Sequence, residues 1–539
     1  MFRARGRSVL PTGPLSSDDR RWISAGLVTI RRAARSVMLD WEWLIGDAVI
    51  GALLPEAYAS YRRPIVEGLR LFLSRLPGPD VARILSDQAA LRADASAEER
   101  LVALAERCPA LHKLGQVLAR DRRLALELRL HLQRLESLPP MTPLSSIEQT
   151  LARELGPLEG LGVKLDPPAL AEASVAVVVP FRYSAGGQED LPERGVFKIL
   201  KPGIEDRLAL ELDLLQEVGG LLDDRCVAFG IPQLAYREVF DQVSEKLATE
   251  VKLKGEQRHL EQAAETYARE RKVLIPRLYP FCSGRVTAME RIDGHKVTEP
   301  GELDLWDRRR LAELIVEAMI AGPIWSPASR AAFHADPHAG NLFVTPDRRL
   351  AILDWSLTGT LGESERVAMT QLVLGGLSLS AGQIRSGLLD LAQEQRVDEV
   401  ALDDVIQDWL RRIRQGMFPG FSWLMGMLDD AVLRARLRAG TDLIMFRKVL
   451  LTLDGVLADV SAHVRVDELL PSLFLRRLAC EWPRRLLTPP LSRALETRLS
   501  NEDLALLMMR LPLTPARAWL ENALELISRT EEPEASVGC

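Results

Sequence analysis

The feature that most constrains this chain is a short run that mixes turn formers with chelating groups. It reads His334-Ala335-Asp336-Pro337-His338-Ala339-Gly340-Asn341, followed by Leu353-Asp354-Trp355-Ser356. Asp336, Asn341 and Asp354 offer a carboxylate, an amide and a second carboxylate, which are hard oxygen donors of the kind a divalent cation takes. A cation held there neutralises charge developing on phosphate oxygens, while a remaining carboxylate orients a nucleophile. Two other uses compete. His334, Asp336 and His338 supply plausible ligands for a transition metal, although Pro337 and the Gly340-Asn341 pair suit a tight loop better. A purely structural loop would have His334 bonding backbone and the acids solvated.

Composition sets the bounds. The chain has 539 residues, 47% hydrophobic and 27% charged, enough for a large core and more than one lobe. With 69 basic against 75 acidic residues the formal charge is -6, which gives no general attraction to nucleic acid, and no nucleic-acid partner is expected. The five cysteines, at 108, 226, 282, 480 and 539, are scattered and form no Cys-x-x-Cys pair. That argues against a disulfide framework or zinc site and points to a reducing cytoplasm. Met1 to Arg7 is basic, but Leu10-Pro11-Thr12-Gly13-Pro14 interrupts where a signal peptide needs an apolar segment. The longest uncharged stretch, Val367 to Ile384, is broken by glutamines, glycines and serines and does not read as a membrane span. Trp22 to Leu54 alternates apolar residues with charges, as an amphipathic helix pair does.

Three regions follow along the chain. Ser16 to Leu138 has apolar residues at helical spacing, as in Leu69, Phe72, Leu73 and Leu76, and turn residues at Leu76-Pro77-Gly78-Pro79. From Leu161 the pattern turns to strands: Ser174 to Tyr183 is dense in valine, Ser184 to Gly187 reads as a turn, and Gly195 to Leu200 is a short apolar strand. Helices are expected at Asp206 to Leu222 and Val243 to Arg269, then strands at Lys272 to Tyr279 and Gly284 to Ile292. After Trp306 helices dominate, with only Leu342 to Val344 and Leu350 to Leu353 as strands. Thr530 to Cys539 is acidic and reads as a frayed end.

The order of Asp336, Asn341 and Asp354 keeps the spacing by which protein kinases place a catalytic-loop Asp, an Asn five residues later and a second metal-binding Asp. Lys198, in Val196-Phe197-Lys198-Ile199-Leu200, reads as a lysine facing opposite to its apolar neighbours on a strand, as a phosphate-binding lysine does. Four further strings occur with these in one order: Lys113-Leu114-Gly115-Gln116, Ala171-Glu172-Ala173-Ser174, Lys201-Pro202-Gly203-Ile204 and Met289-Glu290-Arg291-Ile292-Asp293-Gly294. Together they resemble the UbiB/AarF-like atypical kinase family over roughly Glu106 to Gly359. That family carries a Lys-x-Gly-Gln motif, an Ala-rich loop and a His-Ala-Asp-Pro-His-Pro-Gly-Asn catalytic loop.

The resemblance implies an α+β, bilobal protein-kinase-like fold with an all-α N-terminal extension and a helical C-terminal tail. Its expected divisions are 1–140, 141–295, 296–390 and 391–539. It assigns Lys198 to the ATP phosphates, with the Ala171, Ala173 and Ser174 loop beside them and Met289, Glu290 and Ile292 at the adenine-facing hinge. Asn341 and Asp354 are assigned to Mg, and Asp336 is the catalytic-loop acid. Lys113 and Gln116 form a lid motif contacted by Glu250, and Glu256 pairs with Lys198. ATP and Mg are the implied cofactors. The implied function is ATP hydrolysis or phosphotransfer in support of quinone or other isoprenoid-lipid metabolism, with a lipid or quinone precursor and quinone-biosynthesis proteins as partners. The implied place is the cytoplasm, peripheral on the inner membrane face, through apolar faces near Trp22 to Leu54 and Phe418 to Leu428. Departures stand at Lys252, Val177, Val179, Ser356 and Glu172, the last expected to repel polyphosphate unless it points away. Two alternatives remain: a small-molecule phosphotransferase of aminoglycoside or choline kinase type, and a nucleotide-binding pseudokinase scaffold.

Overall fold

A computed structural model describes residues 41–510, apart from 93, 119–123, 137–140, 185–191, 233–234, 300–303, 393–396 and 463. The start of the Trp22 to Leu54 stretch, most of the expected turn at 184–187 and the end at 530–539 lie outside the described residues. The chain divides into two compact units, one of residues up to Lys254 plus Tyr279–Met289, the other of Gly255–Leu278 and Glu290 onward.

In the first unit, helices surround an antiparallel sheet. The valine strand Ala176–Tyr183 lies at its middle, paired on one side with the lysine strand Glu193–Leu200 and on the other with Val163–Leu165 and Ala171–Glu172. The Val286–Glu290 strand extends the sheet beyond the lysine strand. Alternation sends Val177, Val179, Phe181, Phe197 and Ile199 to one core, where Phe181 and Phe197 pack at 4.2 Å beside Tyr279 and Phe281. Ala176 and Leu200 face the second core, built with Trp41, Leu44, Phe72, Leu208 and Leu215 from the helices. In the described part of the Trp22 to Leu54 stretch, Trp41, Leu44 and Ile45 are therefore core.

The expected helix from Val243 to Arg269 is two helices, Tyr236–Thr249 and Leu253–Tyr267. A turn interrupts them, with the Thr249 carbonyl accepting the Lys252 N–H at 3.0 Å. The expected strand from Lys272 shrinks to Val273–Leu274.

The second unit holds a four-stranded sheet in the order Val273–Leu274, Leu350–Ile352, Leu342–Val344, His295–Lys296. It also holds a ladder that the sequence pattern missed, Arg330–His334 paired with Thr358–Gly362. Helices fill the rest, and Phe421–Arg434 buries Trp423, Leu424, Met427 and Leu428, so these residues of the Phe418 to Leu428 stretch are core while Phe418 is exposed. Two buried arginines fix the approach to the ladder. Arg366 donates to the carbonyls of Ser326, Ala328 and Ser329, and Arg498 donates to Ser326 while pairing with Glu363 at 2.5 Å. Each carbonyl is satisfied by a charged donor, which is what makes a buried guanidinium tolerable. Among the described residues, no helix is long and apolar enough to cross a membrane.

Candidate functional site

The first unit carries the lysine and the two motifs expected around it. Lys198 is half-buried and points away from the core side of its neighbours Phe197 and Ile199, on a strand face it shares with the buried Val196 and Leu200. Register places Lys198 opposite Val178, and Val178 opposite Ala171, so the lysine and the Ala-rich segment occupy one line across three strands. In that segment Ala171 and Ala173 are exposed while Glu172 and Ser174 are buried. Glu172 points inward: its carboxylate meets Lys201 Nζ at 2.8 Å and accepts the backbone N–H groups of Met141 and Thr142 at 2.7 and 2.9 Å. Burial opposes the charge, yet Lys201 and the two N–H groups outweigh it and hold the carboxyl below its usual range. The carboxylate expected to repel polyphosphate is thus already neutralised. Val177 and Val179, departures from the family strings, are fully used as core.

The Lys-x-Gly-Gln motif lies on the helix Pro109–Leu118. Lys113 Nζ stands 2.5 Å from Glu250 Oε1, which the end of the Tyr236–Thr249 helix presents. Gln116 donates to the Leu135 carbonyl at 2.8 Å. A Cβ at Gly115 would lie 2.5 Å from Leu135 Cδ1, so glycine is what lets this helix approach. Beneath the motif, buried His112 donates through Nε2 to the same carbonyl at 2.7 Å, and burial brings its imidazole down to about 4. Glu211, fully buried on the Ile204–Phe229 helix, accepts the Ala110 N–H at 2.9 Å and pairs with Arg207 at 3.2 Å. Burial is the larger influence and pushes this carboxyl up to about 7. Lys252, one of the departures, is exposed.

The second unit carries the acids. His334 ends the strand Arg330–His334 and is buried. Its Nδ1 accepts the Asp336 N–H at 3.2 Å, and its Nε2 donates to the carbonyls of Leu353 and Asp354, each at 3.0 Å. Both nitrogens are used, so the ring is neutral and unavailable as a metal ligand, and burial above all holds its pKa low. His334 therefore ties the Asp336 loop to the Asp354 segment. Further ties are Asn341 Nδ2 to the Asp336 carbonyl at 3.1 Å and the Leu353 N–H to the Asn341 carbonyl at 2.8 Å. Asn341 is buried, and donation through Nδ2 leaves its Oδ1 as the acceptor of the group. Asp354 has a φ of 52°, a left-handed conformation that aspartate tolerates, and accepts the Ser356 N–H at 3.2 Å. Ser356 is not among the residues with positive φ, so a glycine is not required there. Glu256, in the first turn of Leu253–Tyr267, is buried and not on a solvated face. Met289 ends the first unit, and Glu290 and Ile292, both half-buried, open the second.

The Asn341 amide oxygen and the Asp354 carboxylate, on segments linked by backbone bonds, are hard donors of the kind that suits magnesium better than it suits a nitrogen- or sulfur-preferring metal. Among the described residues no group of three His, Cys, Asp or Glu side chains is arranged to hold a metal.

Comparison with known proteins bears on the same stretch of chain. Residues 134–385 match the family model described as the ABC1 atypical kinase-like domain. That match spans somewhat less than half of the chain. It is 30% identical over 265 residues to an uncharacterized aarF domain-containing protein kinase of Arabidopsis thaliana chloroplasts, a match covering 48% of this chain and 47% of that protein. It is also 30% identical over 284 residues to the probable protein kinase UbiB of Histophilus somni, covering 49% of each. The matches span about half the length of these curated relatives. A solved complex of Rv3197 with erythromycin from Mycobacterium tuberculosis superposes with a TM-score of 0.48 at 17% identity, covering 84% of this chain and 97% of that one. Lys198, Glu256 and the acid loop fall within the matched stretch, whereas Lys113 and Gln116 precede it.

Sequence reasoning missed Lys201 as the partner of Glu172 and Lys448, whose Nζ lies 3.4 Å from Asp336 Oδ1. Lys201 had a signal, a lysine immediately after a strand and opposite an inward carboxylate. Lys448 had none, since it lies on a helix more than a hundred residues downstream.

Proposed function

We propose that this protein binds Mg-ATP and hydrolyses it, as an ATPase or kinase of the ABC1 type. The observation that supports the reading is that His334 and backbone bonds tie the Asp336 loop, Asn341 and the Asp354 segment to one another. Asn341 and Asp354 are the residues that would hold magnesium, which when bound offsets charge on the phosphate oxygens. Lys198 would contact those phosphates, beside the Ala171–Ser174 loop, with Glu256 as its ion-pair partner and Met289, Glu290 and Ile292 facing the adenine. In hydrolysis, water oxygen bonds to the γ-phosphorus, the bridging P–O bond breaks with its electron pair leaving on ADP, and the water proton passes to Asp336. Lys113, Gln116 and Glu250 form the lid motif.

A role in quinone or other isoprenoid-lipid metabolism rests on the resemblance and on relatives named UbiB. In that role a lipid or quinone precursor and a membrane's inner face are the expected contacts.

The test is thermal stabilisation by Mg-ATP followed by ADP release, with and without anionic vesicles and a quinone-like phenol. A ligand at a hundred times its Kd stabilises by about 2.7 kcal/mol. Stabilisation and turnover are expected, with turnover lost in Asp354→Asn and Lys198→Ala. Stabilisation without turnover marks a nucleotide-binding scaffold. Phosphate transfer to choline or an aminoglycoside marks a small-molecule phosphotransferase.

A further inference from the structure

The C-terminal helices lie beyond the matched domain, yet one of them places a cation on the catalytic-loop acid. The helix Thr441–Val460 is seated on the ladder that ends in the loop. Asp442 Oδ2 accepts the Thr360 hydroxyl at 2.9 Å, and Phe446 meets Phe333 edge-on with centroids 5.1 Å apart. Leu443, Phe446, Val449, Leu450 and Leu453 are the buried face. Phe333 immediately precedes His334, so the helix is registered against the strand that feeds the loop. Gly359 permits this ladder, because a Cβ there would lie 2.3 Å from the Phe333 ring. Lys448 stands off the buried face, its side chain 46% exposed, with Nζ 3.4 Å from Asp336 Oδ1.

Stability does not explain the placement. An ion pair between partly exposed groups contributes at most about 1 kcal/mol. The loop from His334 to Asn341 contains no Lys or Arg of its own. The other Asp336 oxygen faces His338 Nε2 at 3.8 Å, and His338 Nδ1 accepts the Gly340 N–H at 3.0 Å. A carboxylate that receives a proton from a nucleophile must be ionised and aimed, and misplacement alone costs rate.

We infer that Lys448 is a positioning residue for phosphoryl transfer: from the C-terminal helices it fixes the Asp336 carboxylate in the orientation that receives the nucleophile's proton. The inference rests on the Mg-ATP reading above. It makes the C-terminal helices part of the reaction centre, not an appendage.

The experiment uses the full chain with Lys448→Met and Lys448→Arg. ADP release is measured against ATP concentration, and thermal stabilisation against Mg-AMPPNP and against Mg-ADP with fluoroaluminate, which mimics the transferring group. The Met variant is expected to lose at least about tenfold in kcat with KM for ATP within about twofold, since ground-state binding does not use Lys448. It should keep stabilisation by Mg-AMPPNP and lose most of the extra stabilisation by fluoroaluminate, with the Arg variant recovering both. A Met variant equal to the unsubstituted protein in kcat and in fluoroaluminate stabilisation overturns the inference. So does a parallel loss of Mg-AMPPNP stabilisation, the mark of a general structural defect. An unsubstituted protein that no Mg-nucleotide stabilises overturns the Mg-ATP reading and this inference together.

Discussion

Two buried titratable groups, His112 on the Lys-x-Gly-Gln helix and Glu211 packed against it, give opposite pH dependences that hide each other. The Glu211 carboxyl is raised from its ordinary 4.5 to about 7. Between those values the unfolded chain has given up a proton that the folded chain keeps, so stability falls as pH rises, by roughly 3 kcal/mol over the window. His112 is lowered from 6.5 to about 4. There the unfolded chain takes up a proton that the folded chain refuses, so stability falls as pH drops, again by roughly 3 kcal/mol. Both groups are almost wholly buried, which removes the need to discount for solvent screening. The slopes overlap between pH 4.5 and 6.5 and nearly cancel. Glu211→Gln removes one of them, and relative to the unsubstituted protein it should gain about 3 kcal/mol between pH 4.5 and 7. His112→Gln should gain a similar amount between pH 6.5 and 4. A constant offset from a misplaced amide does not enter, because only the change with pH is read. Hydrogen exchange of peptides from Pro109–Leu118 and Ile204–Phe229 measures it, since comparing proteins at one pH cancels the intrinsic exchange rate. A difference between Glu211→Gln and the unsubstituted protein that stays flat across this range refutes the reasoning.

Gly115→Ala sets a methyl against Leu135 Cδ1 at 2.5 Å and should destabilise the first unit by about 1–3 kcal/mol, read as a lower midpoint in denaturant. Glu172→Leu leaves Lys201 without its carboxylate and two N–H groups without an acceptor. A loss of about 3–5 kcal/mol is expected, and Glu172→Leu with Lys201→Met together should recover much of it in a double-mutant cycle.

What could be read from the sequence was chemistry confined to short loops. Asp336, Asn341 and Asp354 are close along the chain, and His334 with backbone bonds ties their segments together. Lys113 and Glu250 were also paired by resemblance, and they meet at 2.5 Å across more than a hundred residues of chain. The sequence misled where environment decides. Glu172 reads as an obstacle to phosphate until Lys201 and two backbone donors are seen to hold it inward. Glu211 sits in Leu210-Glu211-Leu212, on a helix with charges throughout, and nothing local marks it as buried. The strand Arg330–His334 escaped notice because five residues carry little periodicity and its order comes from Thr358–Gly362, on the far side of the acid loop. That same ladder is the seat of the Thr441–Val460 helix, through Thr360 and Phe333. A missed pair of strands therefore hid the route by which Lys448 reaches Asp336, and a helix that seemed without chemistry acquires it from where it is docked.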